Sequence, residues 1–465
     1  MKKILFAFIL FTNAANAQLG NFNMELLANI DSRRIPAYLN FTDHYSSCWG
    51  YVAPDGREYA IMGCYMGTQI VDISDSNDIR EVYFKMIDFD TSSLDYGNEW
   101  REMKTYSHYL YVVSEAGSSH LEIFDLQYLP DSVVYIGKHI IPGRHNGHTI
   151  SQSGHFLYLN GTLFNGSFQG TTVLDLSDPL NPVRRGGWNE HYVHDSRIIN
   201  DTIYASNIDV GRLTIIDARN KDSLKTLAFF RTLPNPFTHN SDLTKDSRYI
   251  FTTDETETPP GRLKIWNKED ITNVLFVRNW IPTGINNTIV HNVEIFGDTA
   301  YVAHYEAGVR VLNIIDPENP IEIGWYDTYP SSNSNTYRGN WGVYKFPSGK
   351  IIASDRQTGL YVLKLGNKVG IQSISSNAGS FFLAQNYPNP FNPLTNIEFS
   401  LPKEEKIKLA VYDILGKEMQ VLFSGKLNMG KYKFQWDASN IPSGIYFYKL
   451  STGYSEIVKK MVFTK

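Results

Sequence analysis

One strand signature occurs seven times along this 465-residue chain. It opens on glycine in six copies and on histidine in one, and runs through alternating residues to a polar or bulky end. The copies are Gly67 to Asp72, His120 to Asp125, Gly170 to Asp175, Gly211 to Asp217, Gly261 to Trp266, Gly308 to Asn313 and Gly359 to Lys364. The sixth unit, Val290 to Ile314, displays the whole pattern: a His-Asn opening, a short strand, a Gly297-Asp298 turn, a second strand ending in polar residues, then the glycine-led third strand. A period of about fifty residues with several strands per unit predicts a β-propeller, because one such sheet cannot cover both of its own faces and needs neighbours. The expected fold is all-β, with a seven-bladed propeller as its main body.

Six units carry a fourth strand after the signature, as in Val183 to Trp188, but the seventh stops at Leu365. The stretch Phe22 to Ile30 alternates weakly and stands alone before the first full unit. It is expected to supply the missing outer strand of the last blade, closing the ring and leaving no open edge. Tight-turn sequences, Pro54-Asp55-Gly56 and Pro347-Ser348-Gly349, separate alternating runs within units. Asp316-Pro317 and Asn319-Pro320 fall between units, where proline fixes φ and no strand donor is needed.

The N-terminus has a positive head (Lys2, Lys3), an apolar run from Ile4 to Phe11 too short to span a bilayer, and an Ala15-Asn16-Ala17 cleavage site. Residues 1–17 are therefore expected to be a signal peptide, and the mature chain to begin at Gln18 with no transmembrane segment. A net charge of -5, with no basic run beyond the extreme N-terminus, argues against nucleic acid or an anionic membrane as partner. The two cysteines, Cys48 and Cys64, flank the Pro54 turn almost symmetrically. A cross-strand disulfide and a pair of buried free thiols are both open readings.

The V-L-D-L, T-I-I-D and V-L-N-I strands followed by D-P-x-N-P resemble those of LVIVD-repeat propellers, and the run from about Leu26 to Leu365 resembles the exported choice-of-anchor B family. That resemblance implies architecture rather than a reaction. From Gly366 to about Phe382 the composition turns to Gly, Asn and Ser, as in a linker. Beyond it, Y-P-N-P-F-N-P (Tyr387 to Pro393), V-Y-D-I-L-G-K (Val411 to Lys417), S-G-I-Y-F-Y-K (Ser443 to Lys449) and the terminal K-K-M-V (Lys459 to Val462) closely resemble the C-terminal sorting domain of the Bacteroidetes type IX secretion system. Short strands with turn signals predict a small Ig-like β-sandwich there. The expected organisation is a propeller over 18–366, a linker over 367–382 and a sorting domain over 383–465. The resemblance implies passage through the periplasm, the type IX machinery as partner, and release or attachment at the cell surface.

In a propeller the first strand of each unit lines the axis, and the end of the second strand returns to the same mouth. Aligning the units brings His145, His148, His194, His239 and His291 into one slot on four consecutive units, five of the twelve histidines. The slot holds Trp49, Trp100 and Trp341 in the other three, and second-strand ends add Glu115, Asp254, Glu255, His304, Asp355 and Arg356. Neutral imidazoles with carboxylates at an open mouth suit a divalent transition metal, Mn, Fe, Zn, Cu or Ni. The candidate metal ligands are the five slot histidines and His304; Glu115, Asp254, Glu255 and Asp355 are the candidate catalytic groups or further ligands. Trp49, Trp100, Trp341 and Arg356 are candidate ligand-binding side chains. The same His-Asn and His-Asp pairs also read as a structural device repeated with the unit.

Two functions fit. The first is an exported or surface-held binding propeller for an extracellular glycan or peptide. The second is a metal-dependent hydrolase or lyase acting on an extracellular polymer. Because G-x-S-x-G and Walker-type motifs are absent, the sequence favours the first.

Overall fold

The computed structural model describes residues 21–465 apart from 36–40, 88–99, 116–119, 143–145, 165–166, 169, 259, 283–284, 367–370, 376–378, 428 and 439–440. The expected signal peptide and His145 lie outside the described residues. Among those described, seven antiparallel sheets of four or five strands span Asn21 to Leu365, with a two-stranded pair, Leu163–Phe164 and Ser167–Phe168, inserted in the third. Their inner strands are Tyr45–Val52, Arg101–Tyr106, Thr149–Ser153, Asp195–Ile199, Thr238–Leu243, Asn292–Phe296 and Asn340–Lys345. Each packs on the next and the seventh packs on the first, so the sheets stand as blades around one axis. Blades are counted in that order.

Burial follows position within the blade. Glu58–Cys64 and Gly67–Asp72, the middle strands of blade one, are buried at every residue because neighbouring blades cover both faces. The outer strand of blade four, Lys225–Arg231, alternates between exposed and half-buried residues. Apolar clusters straddle blade boundaries: Val71 and Ile73 of blade one pack with Ile352 and Val362 of blade seven, and Phe251 of blade five with Val293 and Val302 of blade six.

The ring closes as the sequence predicts. Met24–Ile30 pairs antiparallel with Gly359–Leu365 as the outer strand of blade seven, and Asn21–Phe22 adds a strand to the outer edge of blade six. The recurring glycine has a steric cause. At Gly308, φ is 73° and an added Cβ would lie 2.2 Å from the carbonyl oxygen of Tyr326, where the third strand starts against the end of the outer strand.

Of the two open cysteine readings the structure has the free thiols, and one expectation, the linker, is corrected. Cys48 and Cys64 form no disulfide: the unbroken register from the hairpin turn sets Cys48 opposite Met62, and beyond a bulge between Tyr45 and Cys48 Cys64 lies opposite Tyr45. Both are buried free thiols, and burial pushes Cys48 up to about 12. The stretch 367–382 is not all linker, since Ile371–Ser375 pairs with Gly430–Asp437 and Phe382–Leu383 with the strand Leu394–Leu401. Edge strands pair through the backbone, so a polar composition does not prevent it.

The C-terminal region is a sandwich of two four-stranded sheets around Leu409, Phe434, Trp436 and Tyr448. Phe22 and Trp325 of the propeller join that core, with Phe22 5.8 Å from Phe423 between ring centroids. Among the described residues no helix is long and apolar enough to cross a membrane.

Candidate axial site

Six of the seven blades place an aromatic ring at the start of the inner strand, and these rings line the mouth in succession. Centroid separations are 4.1 Å for His148–His194, 4.3 Å for His194–His239, 4.3 Å for His239–His291 and 4.3 Å for His291–Trp341. Trp341 then stacks on Trp100 at 4.6 Å, parallel within 7°. His239 and Trp341 occupy bulges, where the register jumps from Thr238 to Asn240 and from Asn340 to Gly342. The extra residue is thereby freed from the ladder and aimed at the axis.

The ring nitrogens are held in order. His239 Nδ1 lies 3.1 Å from the carbonyl oxygen of His291, and His291 Nδ1 faces the carbonyl oxygen of Trp341. An Nδ1–H donated to a carbonyl leaves the lone pair on Nε2, the form that binds metals. His148 differs, because its Nδ1 is 2.9 Å from Glu115 Oε2. Burial holds His194 and His239 well below the ordinary histidine value and His291 at about 3, so these imidazoles are neutral. Burial also pulls His148 down, but the hydrogen bond and charge of Glu115 outweigh it and the net shift is upward.

The second-strand ends form an upper tier. Glu255 of blade five, Tyr305 of blade six and Arg356 of blade seven point into the mouth. Glu255 Oε2 is 3.4 Å from His239 Nε2, Oε1 is 3.8 Å from His291 Nε2, and the Tyr305 hydroxyl donates to Oε1. Burial pushes Glu255 up to about 7, against the Tyr305 hydrogen bond and the nearby positive groups. One ligand atom each from His194, His239 and Glu255 lie within 4.8 Å of one another. A borderline divalent ion takes N and O ligands at ~2.0–2.2 Å, so three such groups converging on one point fit its first shell after small side-chain rotations. Arg356 donates to Asp43 at 2.6 Å and lies 4.8 Å above Trp100. Above the tier is a cavity of about 500 Å³, walled also by Phe237, Tyr337 and Arg338.

Beneath the imidazoles the channel narrows to about 20 Å³, beside Glu102 and Asp195. Farther down, Arg197 pairs with Asp242 at 3.0 Å and Glu294 at 2.7 Å. Trp49, Tyr344 and Phe296 pack together at the other end, with centroids 4.8 Å and 5.6 Å apart.

The structure thus gathers His148, His194, His239, His291, Glu115, Glu255, Trp100, Trp341 and Arg356 at one mouth, and leaves other candidates elsewhere. Trp49 is set lower: its Nε1 donates to Thr105 and Lys104 lies 3.8 Å over its ring, because the first strand begins earlier than the alignment assumed. Asp254 turns into its blade to meet Lys264 at 2.8 Å. His304 does likewise, with Thr288 3.3 Å from its Nδ1, and Asp355 accepts the backbone N–H groups of Gln357 and Thr358 at 2.9 Å. Each is one residue out of phase with the inward set Glu255, Tyr305, Arg356. Tyr305 was missed for that reason, although its φ of 27° is what turns the ring inward. Asp43, Phe237, Tyr337 and Arg338 lie on connecting loops, where no repeat marks them.

The fold and site define a β-propeller with an imidazole-lined axial mouth and a C-terminal β-sandwich. Residues 385–464 match the secretion system C-terminal sorting domain. The chain is therefore exported through the type IX machinery and is secreted or held at the cell surface. No curated protein matches the sequence. Among solved structures the chain is similar to the periplasmic gluconolactonase of Pseudomonas aeruginosa, with 9% identity over 85% of this chain and 99% of that one and a TM-score of 0.47. It is also similar to a protein from Lactobacillus plantarum, with 8% identity, 79% and 95% coverage and a TM-score of 0.46. A hypothetical selenium-binding protein from Sulfolobus tokodaii shares 13% identity over 86% and 95%, with a TM-score of 0.44. Likeness at this level carries nothing about activity.

Proposed function

We propose that this is an exported LVIVD-type propeller of the choice-of-anchor B kind, made with a cleaved signal peptide, whose axial mouth holds a divalent transition metal and acts on an extracellular ligand. The observation that carries this reading is the convergence of His194, His239 and Glu255, with His148 and His291 ring to ring beside them. Buried imidazoles that stay neutral and keep Nε2 unprotonated are costly to leave without a partner, and an ion is the partner that satisfies several at once. A bound ion would supply Lewis acidity, suited to hydrolysis or elimination. Tyr305 holds one oxygen of Glu255 and leaves the other toward His239, and Glu115 orients His148. The test is elemental analysis of the full chain, followed by chelation and zinc titration of native and His239→Ala protein. About one equivalent per native chain and a large loss in the variant is expected; a native chain that arrives without metal and takes up none removes the reading.

A second reading is favoured by a separate observation, the parallel Trp100–Trp341 pair beneath Arg356. Aromatic faces beside a fixed guanidinium suit a glycan or peptide group held without chemistry. Retained binding after complete metal removal would favour it.

A further inference from the structure

We propose that the axial mouth selects a ligand carrying a carboxylate on a six-membered ring, with Arg338 receiving the carboxylate. The inference rests on the metal-centred reading for part of its charge balance, and on the cavity walls for the rest. One of the mouth's cationic groups is already matched, Arg356 by Asp43. Arg338 is exposed on the cavity rim and, among the described residues, has no carboxylate partner. A divalent ion is balanced by the carboxylates of Glu255 and Glu115, and Arg338 adds a positive charge. A concave site with surplus positive charge concentrates anions. A planar guanidinium free on its fork pairs with a planar carboxylate through two parallel hydrogen bonds.

The walls supply the second requirement. Phe237 stands on the blade-five side with 39% of its surface exposed, and Tyr337 and the tryptophan pair stand on the blade-seven side. Tyr305 and Tyr337 meet edge to face at 5.5 Å, which fixes that wall. Aromatic faces on both sides of a cavity of about 500 Å³ leave room for one or two rings, and not for a folded protein segment. A bare inorganic anion would use the rim and leave these walls wet. Sugar acids and aromatic acids share the required chemistry and are separated by experiment.

The test is calorimetric titration of the zinc-loaded full chain with glucuronate, benzoate, glucose and inorganic phosphate, with metal content measured on the same samples. The expected result is that glucuronate or benzoate binds at least about tenfold more tightly than glucose and than phosphate, and that Arg338→Ala loses about tenfold while Arg338→Lys retains part of the affinity. Which of the two acids binds decides between a sugar and an aromatic ligand. Equal binding of glucose, equal binding of phosphate, no binding of either acid, or an unchanged Arg338→Ala overturns the proposal. If the chain proves metal-free the metal reading fails by itself; the same titrations on that protein must then still show the acids preferred over glucose and the loss in Arg338→Ala, or this inference fails too.

Discussion

Glu115 of blade two accepts the Nδ1 proton of His148 of blade three across 2.9 Å, so a carboxylate in one sheet orients an imidazole in the next. His239 and His291 are oriented instead by backbone carbonyls of the following blade. If His148 belongs to the metal centre, its backing carboxylate sets both its angle and its basicity. Glu115→Gln keeps the shape and removes the charge, and should weaken zinc binding by about 10–100-fold with the stoichiometry unchanged. Competition against a chromophoric chelator measures this, and an unchanged affinity would place His148 outside the centre.

Much of this arrangement was written in the repeat. The glycine-led third strands gave the blades, the lone segment before the first unit gave the ring closure, and the slot before each inner strand gave His148, His194, His239 and His291. The phase of the returning strands was not legible. Asp254 and Glu255 are both acidic, and only the turn geometry decides that Glu255 faces the axis while Asp254 meets Lys264. The polar column below was legible in principle, because Glu102 and Lys104, Asp195 and Arg197, and Asn240 and Asp242 lie two residues apart on inner strands, the spacing that puts side chains on one face. The register and the early start of the first hairpin have no sequence mark: the register sets Cys48 opposite Met62, and a strand that begins at Tyr45 leaves Trp49 below the mouth.

The recurring glycine can be separated into two effects. Gly308 and Gly297 both have positive φ, 73° and 62°, but an added Cβ at Gly308 meets the Tyr326 carbonyl oxygen at 2.2 Å whereas at Gly297 nothing lies within 4 Å. Gly297→Ala should cost about 1 kcal/mol, from backbone strain alone. Gly308→Ala adds a steric conflict with main chain that cannot rotate away, and should cost at least about 2 kcal/mol more. Denaturant unfolding of the two variants checks the difference; equal losses would mean the close approach relaxes freely.

Asp327, at the end of the outer strand of blade six, makes stability depend on pH. Burial pushes its carboxyl up to about 6 from an ordinary value of 3.8, with Arg310 opposing, and it accepts the Tyr329 N–H at 2.9 Å. The folded state therefore holds the proton more tightly than the unfolded chain. Its contribution is most favourable below the ordinary value and is lost as pH rises through the folded one. At neutral pH the ionised group costs the fold about 3 kcal/mol by linkage. Asp327→Asn should accordingly stabilise the protein near neutrality, with the gain shrinking toward zero as pH falls to about 4. Urea unfolding of both proteins across that range tests it, and a gain that does not vary with pH would show that the titration of Asp327 is not its source.

The contact between the propeller and the sorting domain invites the last experiment. Phe22 and Trp325 stack with centroids 4.7 Å apart, and both rings also reach Phe423 of the sandwich, at 5.8 Å and 6.3 Å. Phe22 is brought there by the strand it adds to blade six, so the sandwich core is completed only where that strand has paired. Removing a buried indole costs about 3–5 kcal/mol where the site cannot collapse. Here the loss falls on a shared surface, so Trp325→Ala should loosen the sandwich more than the blades behind it. In the full chain, calorimetry should show the sandwich transition moving to lower temperature and separating from that of the propeller, and limited proteolysis should cut earlier between residues 366 and 382. Coincident melting and unchanged cleavage in the variant would mean that the aromatic contact contributes nothing to holding the two parts together.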